Sequence, residues 1–131
     1  MENVVLGDLT AELDTGTPAT LRIRLTGKSA SREAGKVLAP LFDRALATAR
    51  GDARALVLHF ERLEYFNSST IAALVQFIRT AQQAGVGLTV MYDPTQKWQA
   101  MSFDALRRAL RPFDASGGPG VRFTTPSGDP P

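Results

Sequence analysis

The chain has no cysteine and a single histidine in 131 residues. The first absence removes disulfides, thiolate metal sites and cysteine nucleophiles together. With His59 alone, histidine-rich metal sites and paired-histidine chemistry are excluded as well. Charge of one sign is also scarce: 15 Lys+Arg against 13 Asp+Glu leave a net charge of +2. That surplus is too small for strong unspecific attraction to a phosphate backbone, so no nucleic-acid partner is expected. No apolar run approaches the roughly 20 residues of a membrane helix. The start, Met1-Glu2-Asn3-Val4-Val5-Leu6, lacks the basic and then apolar profile of a secretory signal. These absences lead us to expect a cytoplasmic protein with no membrane association.

What is present suits an ordinary globular chain, with 44% hydrophobic and 21% charged residues. A length of 131 residues falls within the usual span of one compact domain, about 100–150 residues. We assign that domain to residues 1–125. Five prolines and four glycines between Pro112 and Pro131 leave Val121-Arg122-Phe123-Thr124 as the one element expected there. Residues 126–131 are expected to be a disordered tail.

The pattern along the chain alternates strands with helices. Leu21, Ile23 and Leu25 alternate with polar residues between Thr20 and Thr26, which predicts a strand closed by Gly27. A weaker strand candidate spans Val4 to Leu13, and the turn residues Asp14 to Pro18 would join the two as a hairpin. From Ser31 to Arg50, apolar residues recur at spacings of three and four, and Pro40 predicts a bend or a helix that effectively begins there. Ala55 to Phe60 is nearly all apolar, as in a central strand covered on both faces. Ile71, Leu74, Val75 and Ile78 place a second helix between Ser69 and Ala84, with Gly85 as its stop. A strand follows from Gly87 to Tyr92, and Asp93-Pro94 predicts the start of a last helix that is broken near Ser102. The expected architecture is α/β, with a mixed sheet of four or five strands and helices mainly on one face.

The informative stretch is Leu63-Glu64-Tyr65-Phe66-Asn67-Ser68-Ser69-Thr70-Ile71, which joins the central strand to the most amphipathic helix. Asn67 or Ser68 can cap the first turn. Three consecutive hydroxyls exceed what one cap requires, and they follow the C-terminal edge of a strand, where open α/β sheets place function. A phosphate on Ser68 or Ser69 would carry about −1.5 to −2 charges at the positive end of a helix dipole. The helix tolerates that charge while a docked partner is repelled by it.

The element order and the serine-rich helix start resemble the STAS domain of bacterial anti-sigma factor antagonists. Those proteins are phosphorylated on the second serine of an Asp-Ser-Ser-Gly motif, which carries over to Ser69; Asn67 stands in place of the aspartate and Thr70 in place of the glycine. The sequence is similar also to a STAS-like phosphoprotein subfamily that regulates biofilm formation, with a Tyr-Phe/Leu-Asn-Thr-Ser-Ser stretch. Here that stretch reads Tyr65-Phe66-Asn67-Ser68-Ser69-Thr70, with Gly27-Lys28-Ser29 and Pro40-Leu41-Phe42-Asp43 as further points of likeness. In that subfamily the hydroxyl after asparagine is the acceptor, which carries over to Ser68.

The resemblance implies a non-enzymatic regulator that needs no cofactor. Its implied partners are a histidine-kinase-like Ser/Thr kinase, a PP2C-type phosphatase, and a diguanylate cyclase or other effector. Ser68 and Ser69 are the acceptor candidates, and Tyr65, Phe66, Asn67 and Thr70 are the expected contact or helix-start residues. The alternatives are a STAS-like scaffold that binds without phosphorylation and a small hydrolase using Ser68 or Ser69, His59 and Asp93. The hydrolase lacks a Gly-x-Ser-x-Gly elbow.

The remaining features have plainer readings. Glu61 and Glu64 balance Arg62, Gly117–Gly120 connects elements, and Arg107, Arg108 and Arg111 form a solvated face that would also suit an acidic partner. Trp98 and Met101 are expected to pack in the core, with a partner anchor as the second reading.

Overall fold

The computed structural model describes residues 2–17, 19–114 and 121–124. In chain order the elements are β1 (Glu2–Leu6), β2 (Leu9–Thr17), β3 (Thr20–Ser29), α1 (Ala34–Asp52), β4 (Ala55–His59), β5 (Leu63–Phe66), α2 (Ser68–Gln83), β6 (Leu88–Met91), α3 (Lys97–Asp114) and β7 (Val121–Thr124). One sheet runs β1-β2-β3-β4-β6-β7, with β5 pairing β3 beyond the end of β4. The first three strands form an antiparallel meander, and the pairs β3–β4, β3–β5, β4–β6 and β6–β7 are parallel.

The sheet is mixed as expected, but it has seven strands where four or five were expected. The stretch Val4–Leu13 divides in two because the chain turns at Gly7-Asp8, with Gly7 in the left-handed region at φ 58°. An N-terminal hairpin therefore becomes a three-stranded meander. Leu63–Phe66, which looked like a linker, is the other added strand.

Register explains the core. Leu13, Ile23, Leu58, Val90 and Phe123 are consecutive cross-strand partners from β2 to β7, and all are buried. Each such side chain contributes about 1.5–3 kcal/mol relative to an exposed one. The adjacent row on the other face, Glu12, Arg24, His59, Met91 and Thr124, is only half-buried. So β4 is covered fully on one face only, which corrects the expectation of cover on both. Strand order advances in one direction through β3, β4, β6 and β7, so right-handed crossovers put α1, α2 and α3 on the same side.

Two helix starts differ from the sequence reading. α1 begins at Ala34 and runs through Pro40. The proline lies exposed and removes only the bond to the carbonyl of exposed Lys36, while Leu38, Leu41 and Phe42 keep the buried face in register. α3 begins at Lys97, four residues after Asp93, and continues without a break at Ser102. Asp93 Oδ1 instead accepts from the amide and hydroxyl of Thr95, at 3.0 and 2.6 Å, closing a turn ahead of the helix. Those two bonds hold the Asp93 carboxyl below the usual carboxylate range. At the far end of α2, Gly85 is left-handed as expected, and Gly85 and Val86 donate to the carbonyls of Gln82 and Ala81. The expected tail, 126–131, and the connection Gly117–Gly120 lie outside the described residues.

Candidate functional site

The hydroxyl cluster sits where β5 ends and α2 begins, beside the end of β3. Asn67 is the N-cap of α2, in extended backbone, and its Oδ1 accepts from the Thr70 amide at 3.0 Å. The same Oδ1 accepts from the Thr70 hydroxyl at 2.8 Å. Since the Thr70 proton is used there, Ser29 must be the donor in the 2.6 Å contact between the Ser29 and Thr70 hydroxyls. Both of these hydroxyls are buried at 1% exposure. The remaining side of Asn67 faces the loop before α1: Nδ2 donates to the Ser31 carbonyl at 2.9 Å and the backbone amide donates to the Ser29 carbonyl at 3.0 Å. An aspartate has no proton for the Ser31 carbonyl, so the site is built around asparagine.

The two serines differ. Ser69 Oγ accepts from the Gly35 amide at 3.1 Å and donates to the Arg32 carbonyl at 3.2 Å. Ser68, the first residue of α2, is exposed, and its hydroxyl makes no hydrogen bond among the described residues. Of the other expected contact residues, Tyr65 is 48% exposed while Phe66 is buried against Phe60, Trp98 and Phe103. Phe66 and Thr70 thus fix the helix start from within, and Tyr65 lies on the surface beside it.

Supporting groups come from far along the chain. Gln99, fully buried in the first turn of α3, donates to the Phe60 and Leu63 carbonyls at 2.8 and 2.9 Å and accepts from the Asp93 amide at 2.7 Å. It ties the segment leading into β5, and hence Asn67, to the loop after β6. Gly35 and Gln99 were not singled out in the sequence, and Ser29 entered only as part of the Gly27-Lys28-Ser29 likeness, without a role at the site. Nothing local marks their part in the site, because the partners that tie them to β5 and α2 lie 34 to 41 residues away.

The hydrolase arrangement is not assembled. His59 Nδ1 lies 2.8 Å from Glu61 Oε1, and His59 Nε2 lies 2.9 Å from an Arg22 guanidinium nitrogen. Arg22 only donates, so Nε2 accepts and Nδ1 carries the proton toward Glu61. Asp93 is engaged by Thr95 and Gln96, and Ser69 by the Gly35 amide of α1, while His59 makes no hydrogen bond to either serine among the described residues. Glu61 is thus a partner of His59, whereas Glu64 is exposed, and no group of three metal-ligating residues occurs among the described residues. Arg107 and Arg108 both pair with Asp104 within α3, which accounts for them as a helix face; the side chain of Arg111 lies outside the described residues. Trp98 packs on Phe66 as expected, but Met101 is 74% exposed.

The overall fold recurs in solved structures. SpoIIAA in its unphosphorylated form is 18% identical with a TM-score of 0.54, covering 85% of this chain and 86% of that one. The Bacillus cell-fate determinant SpoIIAA in the phosphorylated form is 19% identical with a TM-score of 0.56, covering 89% and 93%. An anti-sigma factor antagonist from Mycobacterium paratuberculosis is 16% identical with a TM-score of 0.54, covering 81% and 86%. The fold is that of the anti-sigma factor antagonists. No family model matches the chain, and no curated protein matches it in sequence. At these identities the likeness to the anti-sigma factor antagonists is one of fold, and the roles of the side chains rest on the geometry above. No helix among the described residues is long and apolar enough to cross a membrane.

Proposed function

We propose that this protein is a non-enzymatic, cytoplasmic regulatory phosphoprotein of a bacterial partner-switching pathway. In its unmodified form it binds a histidine-kinase-like Ser/Thr kinase or an effector, such as a diguanylate cyclase, over the start of α2. Phosphorylation of Ser68 changes the partner, and a PP2C-type phosphatase restores the first state. The observation that carries this reading is the contrast at the helix start. Asn67, Ser69 and Thr70 are committed to internal hydrogen bonds, while the Ser68 hydroxyl is exposed and makes none among the described residues.

Chemistry favours a phosphate at this position. A group of about −1.5 to −2 charges at the first residue of a helix gains about 0.3–1 kcal/mol from the dipole at low ionic strength. Phosphorylation therefore changes the surface without unfolding the helix. That one protein of this fold has been solved in unphosphorylated and phosphorylated forms supports the same reading for this chain.

The test is affinity capture from the native host with Ser68→Ala and Ser68→Glu as baits. Retention of a histidine-kinase-like ATPase by the alanine variant and its loss with glutamate is the expected result. Equal retention by both would overturn the charge-controlled switch in favour of a scaffold that binds without phosphorylation.

A further inference from the structure

Ser31 takes the Glu33 and Ala34 amides just ahead of α1, on its Oγ and its carbonyl at 3.1 Å each, but no residue of this turn reaches the Gly35 amide. Glu33, at the N-cap position, makes no side-chain bond to the first turn. The first four amides of a helix lack intrahelical partners, and a side-chain oxygen normally takes one of them. Here the amide of Gly35, the second residue of α1, donates to Ser69 Oγ at 3.1 Å, across 34 residues of sequence. The same hydroxyl gives its proton to the Arg32 carbonyl at 3.2 Å, just ahead of the N-cap. The approach of the two helices is close: a Cβ on Gly35 would lie 2.9 Å from both Ser69 O and Ser69 Oγ. Such a contact forces something to shift, so the glycine is what lets the serine reach the amide. Asn67 reinforces the junction through its bond to the Ser31 carbonyl.

We propose that Ser69 is the N-cap of α1 supplied from α2, a positioning residue that makes the first turn of α1 and the acceptor end of α2 one mechanical unit. Ser69 thereby serves as the strut and Ser68 remains as the accessible hydroxyl. This deepens the proposed function and rests on it only in naming Ser68 as acceptor; the cap itself exists in the unmodified protein. The two hydroxyls then have different outputs. A phosphoryl group on Ser68 leaves the cap in place. On Ser69 it would convert Oγ into an ester oxygen with no proton for the Arg32 carbonyl, and it would need the space that Gly35 keeps closed. Opening of the first turn of α1 would follow from the second modification and not from the first.

The cap is tested by amide hydrogen exchange on the unmodified recombinant chain, read at Gly35 and Val37. Ser69→Ala is expected to speed exchange at Gly35 by about fivefold, the loss typical of one N-cap, while the amides beyond the first turn of α2 keep their rates. Ser69→Thr, which restores the hydroxyl, is expected to return Gly35 to within about twofold of the wild-type rate. An unchanged rate in Ser69→Ala, or a rate in Ser69→Thr as fast as in Ser69→Ala, would overturn the proposal. Because no kinase or phosphate enters this experiment, its failure would leave the Ser68 reading standing. Failure to find phosphate on Ser68 would equally leave the cap standing.

Discussion

Replacing Gln99 by leucine keeps nearly the same size and removes three hydrogen bonds from one fully buried side chain. The Phe60 carbonyl retains the Leu63 amide at 2.9 Å, but the Asp93 amide and the Leu63 carbonyl lose the partner that Gln99 provides. Each buried group left unpaired costs about 1–3 kcal/mol, and a buried leucine returns part of that. We therefore expect Gln99→Leu to lose about 2–4 kcal/mol, which for a domain of this length lowers Tm by about 8–15 °C. Urea denaturation followed through the fluorescence of Trp98, which packs edge-on against Phe66 at 5.4 Å, reports on this region directly. The m-value should be unchanged. A loss below about 1 kcal/mol would refute the reasoning, since it would mean that these groups are satisfied without Gln99.

Asn67→Asp is expected to destabilise by about 1 kcal/mol despite the better dipole match, because it sets a carboxylate oxygen against the Ser31 carbonyl at the position of a 2.9 Å hydrogen bond; greater stability in urea would contradict it. The Asp14 carboxyl is held below its usual range, first by the Gly16 amide and then by the Arg24 guanidinium, and Asp93 is lowered by Thr95. A depressed carboxylate favours folding above its unfolded value, near 3.8 here, and that contribution disappears as pH falls through the folded value. Stability should therefore drop on acidification below about pH 4, with a shallower slope in Asp14→Ala; parallel curves would count against it.

Much of the fold was legible because burial follows simple periods. The alternation Leu21, Ile23, Leu25 became the helix-facing side of β3, and Leu74 and Ile78 became buried positions of α2. Even Val121–Thr124, legible only as an element of unstated type between prolines and glycines, is ordered, and it forms a strand. The failures occurred where tertiary packing overrode a local rule. Pro40 is tolerated inside α1 because its carbonyl partner lies on the solvent side and the buried face continues around it. Leu63–Phe66 buries only its two ends, so it has no period to read, and it becomes a strand by pairing with Gly27–Ser29. At the site, the capping role of Asn67 was visible from residue type alone. What was not visible is which hydroxyls are already spoken for. Ser29, Gly35 and Arg32 decide that, and each reaches the cluster only because β3 and α1 fold against the start of α2.

The most direct measurement is site-resolved tandem mass spectrometry of the protein purified from its native host, with fragmentation that separates Ser68 from Ser69. The account predicts phosphate on Ser68, removed by phosphatase treatment, and an unmodified Ser69. Phosphate confined to Ser69, or none on either serine after incubation with the captured kinase and ATP, would contradict it.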